Sequence, residues 1–372
     1  MQTRTGRALS EVKSARVTAS PDVCLEGEAV LNYRCFNSGR TKKDMTKSTE
    51  RILITGAAGQ IGTELTAALR QRYDADTVVA SDVVPAGALP SASGPFEILD
   101  VRDRRALAAA IKKYGVKVIY HMAAILSASG ERDPQRAWDV NISGLYNMLE
   151  ASRELGISRL FSPSSIAVFG PRTPRVNTPQ DTVLDPRTMY GLTKVSGELL
   201  CDYYVGKYGL DVRGCRYPGI ISHQTLPGGG TTDYAVAIFY EAVAYGDYTC
   251  FLKADTRLPM MYMPDCLKCT LDLMEADFAR LKHHSNFNVA AFSFTPAELV
   301  LEIQKHIPSF ACRYAPDFRQ AIADSWPETI DDSAARNEWG WRPEYDLGRM
   351  TADMIAVLRE RHGAGRLNYR RD

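Results

Sequence analysis

The chain has 372 residues, of which 45 are basic and 44 acidic, so its formal net charge is +1. This balance gives no support for nucleic acid or an anionic membrane surface as a partner. Apolar residues make up 45% of the sequence, and since no apolar run approaches the roughly 18 residues that a membrane span needs, the composition predicts a soluble globular protein.

Residues 1–49 form an N-terminal extension whose composition differs from that of the rest of the chain. Arg4, Arg7, Lys13 and Arg16 stand against a single acid, Glu11, within the first 20 residues. An arginine-rich, acid-poor start is typical of a mitochondrial transit peptide. An unstructured tail is the alternative, so we expect a mitochondrial protein and otherwise a cytoplasmic one.

The folded part opens with an apolar run, ILIT, that leads directly into a glycine-rich turn, GAAGQIG, and then a helical pattern. The first glycine permits the turn, the second lets backbone approach a phosphate, and the third lets the helix lie close to the strand. Such a unit binds anions, most often the pyrophosphate of a dinucleotide, although a purely structural turn is the alternative. The residues predicted to contact the cofactor here are Gly56, Gly59, Gln60, Ile61 and Gly62.

A second apolar run ends at Asp82, about 20 residues after Gly62. An acid at this distance holds the ribose 2′-hydroxyl of the cofactor and repels a 2′-phosphate. No Arg or Lys follows within five residues of Asp82 to neutralise a phosphate. The predicted cofactor is therefore NAD rather than NADP.

Strands and helices then alternate along the chain. Predicted strands cover residues 96–99, 116–120, 159–161 and 212–217, and predicted helices cover residues 104–113, 137–155 and 188–204. This alternation predicts an α/β fold, a Rossmann-type doubly wound parallel sheet with helices on both faces. We expect an NAD-binding domain at 50–221 and a smaller α/β substrate-binding or lid region at 222–372, with a strand near 286–290 returning to the main sheet.

A YxxxK pair, Tyr190 and Lys194, lies on one of the predicted helices, where residues four apart share a face. Alone it would favour a solvated helix face, but Ser165 adds a hydroxyl at the end of a strand. An ammonium one helical turn away favours the phenolate, so we expect a lowered pKa for Tyr190. A phenolate near working pH can take the proton of an alcohol while hydride leaves for a nicotinamide.

Together these motifs resemble the extended short-chain dehydrogenase/reductase family over about residues 50–350. The resemblance implies that Tyr190 is the general base, that Lys194 binds the nicotinamide ribose and that Ser165 holds the substrate oxygen. The further cofactor contacts that it implies are Asp100, Val101, His121, Ala123, Ala124, Asn141, Tyr217, Pro218 and Ile220. It also implies a homodimer formed through the helices at 137–155 and 188–204.

Two segments bear on the substrate. Relatives that act on nucleotide sugars usually carry Tyr-Phe-Asn after the sixth strand, whereas this chain has Tyr217, Pro218 and Gly219 and no clear basic cluster beyond residue 225. Instead, a glycine run at 228–230 is followed by Thr231 and Thr232. Bare N–H groups and short hydroxyls suit a small carboxylate ligand, with a flexible loop as the alternative.

These segments resemble the L-threonine 3-dehydrogenase branch of the family. The resemblance implies NAD-dependent oxidation of the L-threonine side-chain hydroxyl to 2-amino-3-ketobutyrate, which a coupled enzyme would cleave to glycine and acetyl-CoA. The implied substrate contacts are Ser127, Ser165, Tyr190, Thr231, Thr232 and Trp326. Two alternatives stay open: a nucleotide-sugar epimerase or dehydratase, and a non-catalytic NAD-sensing protein of the same fold.

No metal site is expected. The one CxxC pair, Cys266 and Cys269, has no second pair and no histidines at zinc-finger spacing, and the six histidines form no HExxH motif. Most of the eight cysteines lie in apolar runs, which predicts reduced core thiols rather than disulfides.

Overall fold

A six-stranded parallel sheet, in the order β3-β2-β1-β4-β5-β7, carries the first half of the described chain. The computed structural model describes residues 50–85, 94–226, 228–367 and 369, so the predicted N-terminal extension lies outside it. The strands of this half are β1 (Arg51–Thr55), β2 (Val78–Asp82), β3 (Phe96–Ile98), β4 (Val116–His121), β5 (Arg159–Phe161), β6 (Ser164–Ser165), β7 (Val212–Arg213), β8 (Cys215–Tyr217) and β9 (Gly219–Ile221). The prediction of a Rossmann-type doubly wound parallel sheet is confirmed.

The helices of this half are α1 (Gln60–Arg72), α2 (Arg104–Tyr114), α3 (Ser127–Arg132), α4 (Pro134–Trp138), α5 (Gly144–Leu155) and α6 (Met189–Tyr208). Because β1 leads outward to β2 on one side and pairs with β4 on the other, the strand order reverses between them. Ligands of open α/β sheets bind at such a reversal, beyond the carboxyl ends of the strands.

The helix predicted at 137–155 starts earlier and contains an irregular turn. Asp133 accepts a hydrogen bond from Arg136 N at 3.1 Å, and Pro134 suits the first helical position. Between α4 and α5 the chain makes a π-helical turn, Asp139–Ser143, so the three pieces follow one another directly. Such turns interrupt the helical repeat locally, which a search for regular spacing does not detect.

The strand predicted at 212–217 is divided at Gly214. A Cβ atom there would lie 2.2 Å from Ser162 O, so only glycine lets the two segments of backbone come this close. β6 and β8 follow this break and pair in parallel. The strand predicted near 286–290 is present at Phe287–Asn288, but it pairs in parallel with β8 in this separate three-stranded sheet and not in the six-stranded one.

The second half mixes helices with short strands. Its strands are β10 (Asp247–Cys250), β11 (Leu258–Tyr262), β12 (Phe287–Asn288), β13 (Phe292–Phe294) and β14 (Ala311–Tyr314). Its helices are α7 (Tyr234–Ala244), α8 (Met263–Glu275), α9 (Pro296–Gln304), α10 (Arg319–Ala323), α11 (Ser333–Glu338) and α12 (Leu347–Gly363). The boundary at residue 222 between two regions stays a prediction.

Two apolar cores stabilise these layers. One includes Leu53 and Ile119 of the sheet with Leu149 of α5, and the other includes Phe239 of α7 with Met354 of α12. Among the helices of the described ranges, none combines the length and apolar character needed to cross a membrane. The six cysteines in those ranges are free thiols, five of them buried.

Candidate active site

The glycine turn after β1 is shaped by two tight contacts. Gly56 has φ +67°, and a Cβ atom at this position would lie 2.6 Å from Ala123 N after β4. A Cβ at Gly62 would lie 2.0 Å from Gly56 O, so the start of α1 packs directly on the turn. Both glycines are therefore required by the protein's own packing.

Gly59 differs from the other two glycines. Its φ of −74° suits any residue, and its nearest Cβ contact would be Gly56 O at 3.3 Å. Gly59 is the N-cap of α1, and no side chain of the described residues hydrogen-bonds to cap this end. The N–H groups of the first turn of α1 are thus available to an anion, as a dinucleotide pyrophosphate requires.

Asp82, at the end of β2, is held beside this turn. Its Oδ2 accepts a hydrogen bond from Ala58 N at 2.9 Å, and its Oδ1 accepts one from Val83 N at 2.7 Å. A carboxylate has about four acceptor positions, so Asp82 keeps capacity for ribose hydroxyls.

Asp100 and Val101 follow β3. The Arg102 guanidinium donates to both carboxylate oxygens of Asp100, at 2.6–3.0 Å, and these hydrogen bonds hold the pKa of Asp100 below its usual value. Val101 is buried against Gly144, where a Cβ would lie 2.7 Å from Val101 Cγ2. Neither Asp100 nor Val101 lines the active-site cleft described next, and Asp82 does not line it either.

The cleft at the carboxyl ends of the strands, which we call the active-site cleft, holds a cavity of about 200 Å³. The predicted residues that line it are Gly56, Gly59, Gln60, Ile61, Gly62, Ala124, Ser127, Ser165, Tyr190, Lys194, Tyr217, Pro218, Ile220, Thr231, Thr232 and Trp326. The fold thus places the glycine turn, the YxxxK pair and the threonine pair on one cavity.

Ser165, Tyr190 and Lys194 meet at this cleft. Ser165 ends β6 and accepts a hydrogen bond from Ala167 N at 3.2 Å, while Tyr190 lies in the first turn of α6. Lys194 Nζ is 5.5 Å from the centroid of the Tyr190 ring and donates to Pro163 O at 2.7 Å. This is the arrangement that the YxxxK spacing predicts.

The expected lowering of the Tyr190 pKa is wrong for the protein groups alone. Burial raises the pKa of Tyr190 to about 12, and its hydrogen bond with Ser165 lowers it by less. The ammonium of Lys194 is turned to Pro163 O, so it does not offset the burial. Burial also lowers the pKa of Lys194 to about 8.

A smaller inner cavity lies behind Lys194, and His121, Ala123, Asn141 and Glu198 are among its lining residues. Burial lowers the pKa of His121 to about 3, so its ring is neutral. The predicted cofactor contacts His121, Ala123 and Asn141 line this cavity and not the active-site cleft.

Asn141 lies in the π-helical turn and links three segments. Its amide nitrogen donates to Ile125 O and Thr193 Oγ1, both at 3.0 Å, and its oxygen accepts from Ile125 N at 2.8 Å. Asn141 therefore joins the loop after β4 to the helix that carries Tyr190 and Lys194.

At the other end of the cleft, Ser127 Oγ lies 3.5 Å from Thr231 Oγ1. The expectation of bare N–H groups in the glycine run is wrong at two positions. Gly229 N and Gly230 N donate to Asp233 Oδ2 at 2.8 and 2.7 Å, because the chain turns back on itself at the start of α7.

Sequence reasoning assigned no role to several residues that line the cleft. They are Met122, Leu126, Pro163, Ser164, Ile166, Gly219 and Asp233. Met122 and Leu126 follow β4, and their position after a strand end was a usable signal. Asp233 follows no strand, but it is adjacent to the predicted contacts Thr231 and Thr232, which was a usable signal.

Comparison with known proteins agrees with this geometry. Residues 52–290 match the model of the NAD dependent epimerase/dehydratase family. The chain belongs to this family. Its membership confirms the resemblance to extended short-chain dehydrogenases and reductases, and the open N-terminus of α1, with Asp82 beside it, fits the family's NAD.

Three family members show how close the likeness is. An uncharacterized epimerase/dehydratase of Staphylococcus haemolyticus is 50% identical over 314 residues, 84% of this chain and 98% of its own. An L-threonine dehydrogenase structure from Clostridium difficile is 50% identical, with TM-score 0.82, covering 84% of this chain and 98% of that one. One from Phytophthora infestans is 52% identical, with TM-score 0.80, covering 83% and 99%.

Within the described ranges of this family member, no group of three or more His, Cys, Asp or Glu side chains is arranged to hold a metal ion.

Proposed function

We propose that the protein is an NAD-dependent L-threonine 3-dehydrogenase. It would oxidise the side-chain hydroxyl of L-threonine to the ketone of 2-amino-3-ketobutyrate. The observation that carries this proposal is that solved structures about 50% identical to nearly the whole folded part are L-threonine dehydrogenases. Ser165, Tyr190 and Lys194, the residue types that the reaction needs, line the same cleft.

The chemistry assigned to the protein is a proton transfer. Ser165 would hold the substrate hydroxyl beside Tyr190, whose phenolate takes its proton as general base. Bound NAD supplies the hydride acceptor for the hydrogen on the same carbon. Because burial raises the pKa of Tyr190 to about 12, the phenolate needs a cation beside it, and Lys194 is the basic side chain that lines the cleft.

The charged side chains that line the cleft favour a small zwitterion over a nucleotide sugar as the substrate. Among the described residues that line the cleft, Lys194 is the one basic side chain and Asp233 the one acidic side chain. A nucleotide diphosphate would bring two negative charges into a cleft with one basic side chain, Lys194, and would be repelled by the carboxylate of Asp233. An amino acid adds no net charge to the cleft, so it needs no second cation beyond Lys194.

NADH formation at 340 nm tests the proposal, with NAD and either L-threonine, L-allo-threonine, L-serine or a UDP-sugar. We expect turnover with L-threonine. Conversion of a UDP-sugar without any reaction of threonine would instead support the nucleotide-sugar alternative.

Tyr190→Phe separates an enzyme from a non-catalytic NAD-binding protein. Loss of the general base should lower kcat by about 10²- to 10⁴-fold while NAD binding, measured by calorimetry, is kept. Tyr314→Phe, in β14 and outside the cleft, is the matched control and should behave as the wild type. Equal turnover by Tyr190→Phe and the control would disprove the general-base role.

We also propose a homodimer formed through α5 and α6. Exposed apolar side chains on these helices support it: Tyr146 on α5 is 45% exposed, and Leu199 and Tyr203 on α6 are 65% and 54% exposed. Exposed large apolar side chains grouped on two helices are typical of an interaction site. Light scattering should give twice the 41.2 kDa chain mass, and Leu199→Glu should give the single mass. A wild-type monomer would remove the proposal.

For residues 1–49 we propose mitochondrial targeting. The family match begins only at residue 52, and basic residues outnumber acids in the first 20 positions. The enzyme that cleaves 2-amino-3-ketobutyrate would then act next in the same compartment. Fusion of residues 1–49 to a fluorescent protein should direct it to mitochondria, and replacing Arg4, Arg7 and Arg16 with Glu should abolish this. A cytosolic wild-type fusion would count against the proposal.

A further inference from the structure

Asp233 brings a negative charge into the active-site cleft that the catalytic roles do not use. It directly follows Thr231 and Thr232 and immediately precedes α7. Ser165, Tyr190 and Lys194 account for the proton transfer, and Asp82 lies outside this cleft. An acid without a catalytic task in a small cleft is a candidate for substrate recognition.

The carboxylate of Asp233 is fixed by main-chain donors. Gly229 N and Gly230 N both donate to its Oδ2, at 2.8 and 2.7 Å. An ionised carboxylate has about four acceptor positions, so the N–H groups of the glycine run leave it able to accept from a further donor. Because these bonds already hold the side chain, a ligand would meet it with little loss of conformational entropy.

The surroundings of Asp233 favour a cation from outside the protein. Burial raises the pKa of Asp233, and hydrogen bonds from Gly228, Gly229 and Gly230 lower it by less. Arg319 also lowers it, but this guanidinium is paired with Asp317 at 2.6 Å. A half-buried carboxylate whose burial is not fully compensated is stabilised by any positive charge that docks beside it.

We propose that Asp233 binds the α-ammonium group of the substrate and thereby selects amino acids over hydroxy acids of the same shape. The inference rests on the proposed oxidation of L-threonine. An ammonium that leaves water for a small cleft must regain charge-assisted hydrogen bonds, and Asp233 is the acidic side chain that lines this one.

The experiment compares two substrates that differ only in the amino group. L-threonine and (3R)-3-hydroxybutyrate share the reacting carbon and the carboxylate, and the second lacks the ammonium. We would measure kcat/KM for both by NADH formation, with wild type and Asp233→Asn. If the hydroxy acid is not oxidised, its inhibition constant against L-threonine replaces kcat/KM.

Asparagine keeps an oxygen that can accept from Gly229 N and Gly230 N but removes the charge. We therefore expect Asp233→Asn to lower kcat/KM for L-threonine about 10- to 100-fold, the loss of one charge-assisted hydrogen bond. For the hydroxy acid the change should stay below about threefold. The preference for the amino acid would thus shrink in the variant.

Asp346→Asn is the matched control, because Asp346 also accepts from backbone, Arg349 N at 2.8 Å, at the start of α12 and outside the cleft. It should behave as the wild type, and Asp233→Asn should bind NAD as the wild type does. An equal loss with both substrates would assign Asp233 to loop structure alone and overturn the inference, as would unchanged kinetics with L-threonine. Absence of wild-type threonine turnover would instead remove the proposed function itself.

Discussion

Gly59 and Gly62 lie three residues apart in one turn, yet opposite requirements keep them as glycine. Both line the cleft, but a Cβ at Gly62 would lie 2.0 Å from Gly56 O, whereas a Cβ at Gly59 would lie 3.3 Å from the same atom. Gly62 is therefore required by the packing of the protein itself, and we infer that Gly59 is required by the approach of the ligand. Alanine substitution separates these two reasons.

Gly62→Ala should reduce stability by about 1–3 kcal/mol, because α1 must move away from the turn. Gly59→Ala should change stability by less than about 1 kcal/mol but weaken NAD binding at least about tenfold, since the methyl group stands where phosphate approaches. Urea unfolding and calorimetric titration with NAD measure the two effects. Equal stability losses in both variants would contradict this division of roles.

At the scale of secondary-structure elements, a buried ion pair joins α6 to two strands. Glu198 of α6 pairs with Arg216 of β8 at 2.8 Å, and both side chains are only 3% exposed. Glu198 also accepts from Ser164 of β6 at 2.5 Å. These contacts hold the helix that carries Tyr190 against the strand that ends in Ser165.

Glu198→Gln should lower the free energy of unfolding by about 3–5 kcal/mol, because it leaves the buried Arg216 guanidinium without its counter-charge. Glu154→Gln is the control, since its pair with Arg104 is solvent-exposed and worth at most about 1 kcal/mol. Denaturant unfolding of both variants at pH 7 checks the difference. A loss no larger than that of the control would show that the pair does not stabilise the fold.

Features of the site that depend on one short segment could be predicted from the sequence, and features that depend on several segments could not. The glycine turn, Asp82 and the Tyr190–Lys194 pair are each read from a short segment whose local structure places the side chains. The π-helical turn around Asn141 and the break at Gly214 depend on neighbouring segments, so spacing alone did not reveal them. The raised pKa of Tyr190 depends on burial, which only the assembled fold determines.

At the scale of the whole molecule, both halves of the chain contribute side chains to the active-site cleft. The first half supplies Lys194 and the glycine turn, and the second supplies Thr231, Thr232 and Asp233. Neither half alone lines the complete cleft. Folding of the second half is therefore a condition for recognising the substrate, and its attachment to the rest of the chain matters for activity.

One such attachment is Asp265, a buried residue in the first turn of α8. Its carboxylate accepts hydrogen bonds from Glu344 N at 2.8 Å and Tyr345 N at 3.0 Å, which ties the segment before α12 to α8. Burial raises the pKa of Asp265 to about 6, despite these two hydrogen bonds. The ionised form is thus disfavoured in the folded protein relative to the unfolded chain.

Protonation of Asp265 is coupled to folding, so the free energy of unfolding should depend on pH. A folded-state pKa above the unfolded value means that the contribution of Asp265 to stability is fully present at pH below about 3.9 and is lost as the pH rises through about 6. Relative to Asp265→Asn, the wild type should therefore lose about 2 kcal/mol between pH 4.5 and pH 7.5. Urea unfolding of both proteins across this range measures it, and the difference cancels the other titrating groups. A difference that is flat with pH, or that grows in the opposite direction, would show that Asp265 is ionised as readily in the fold as in water.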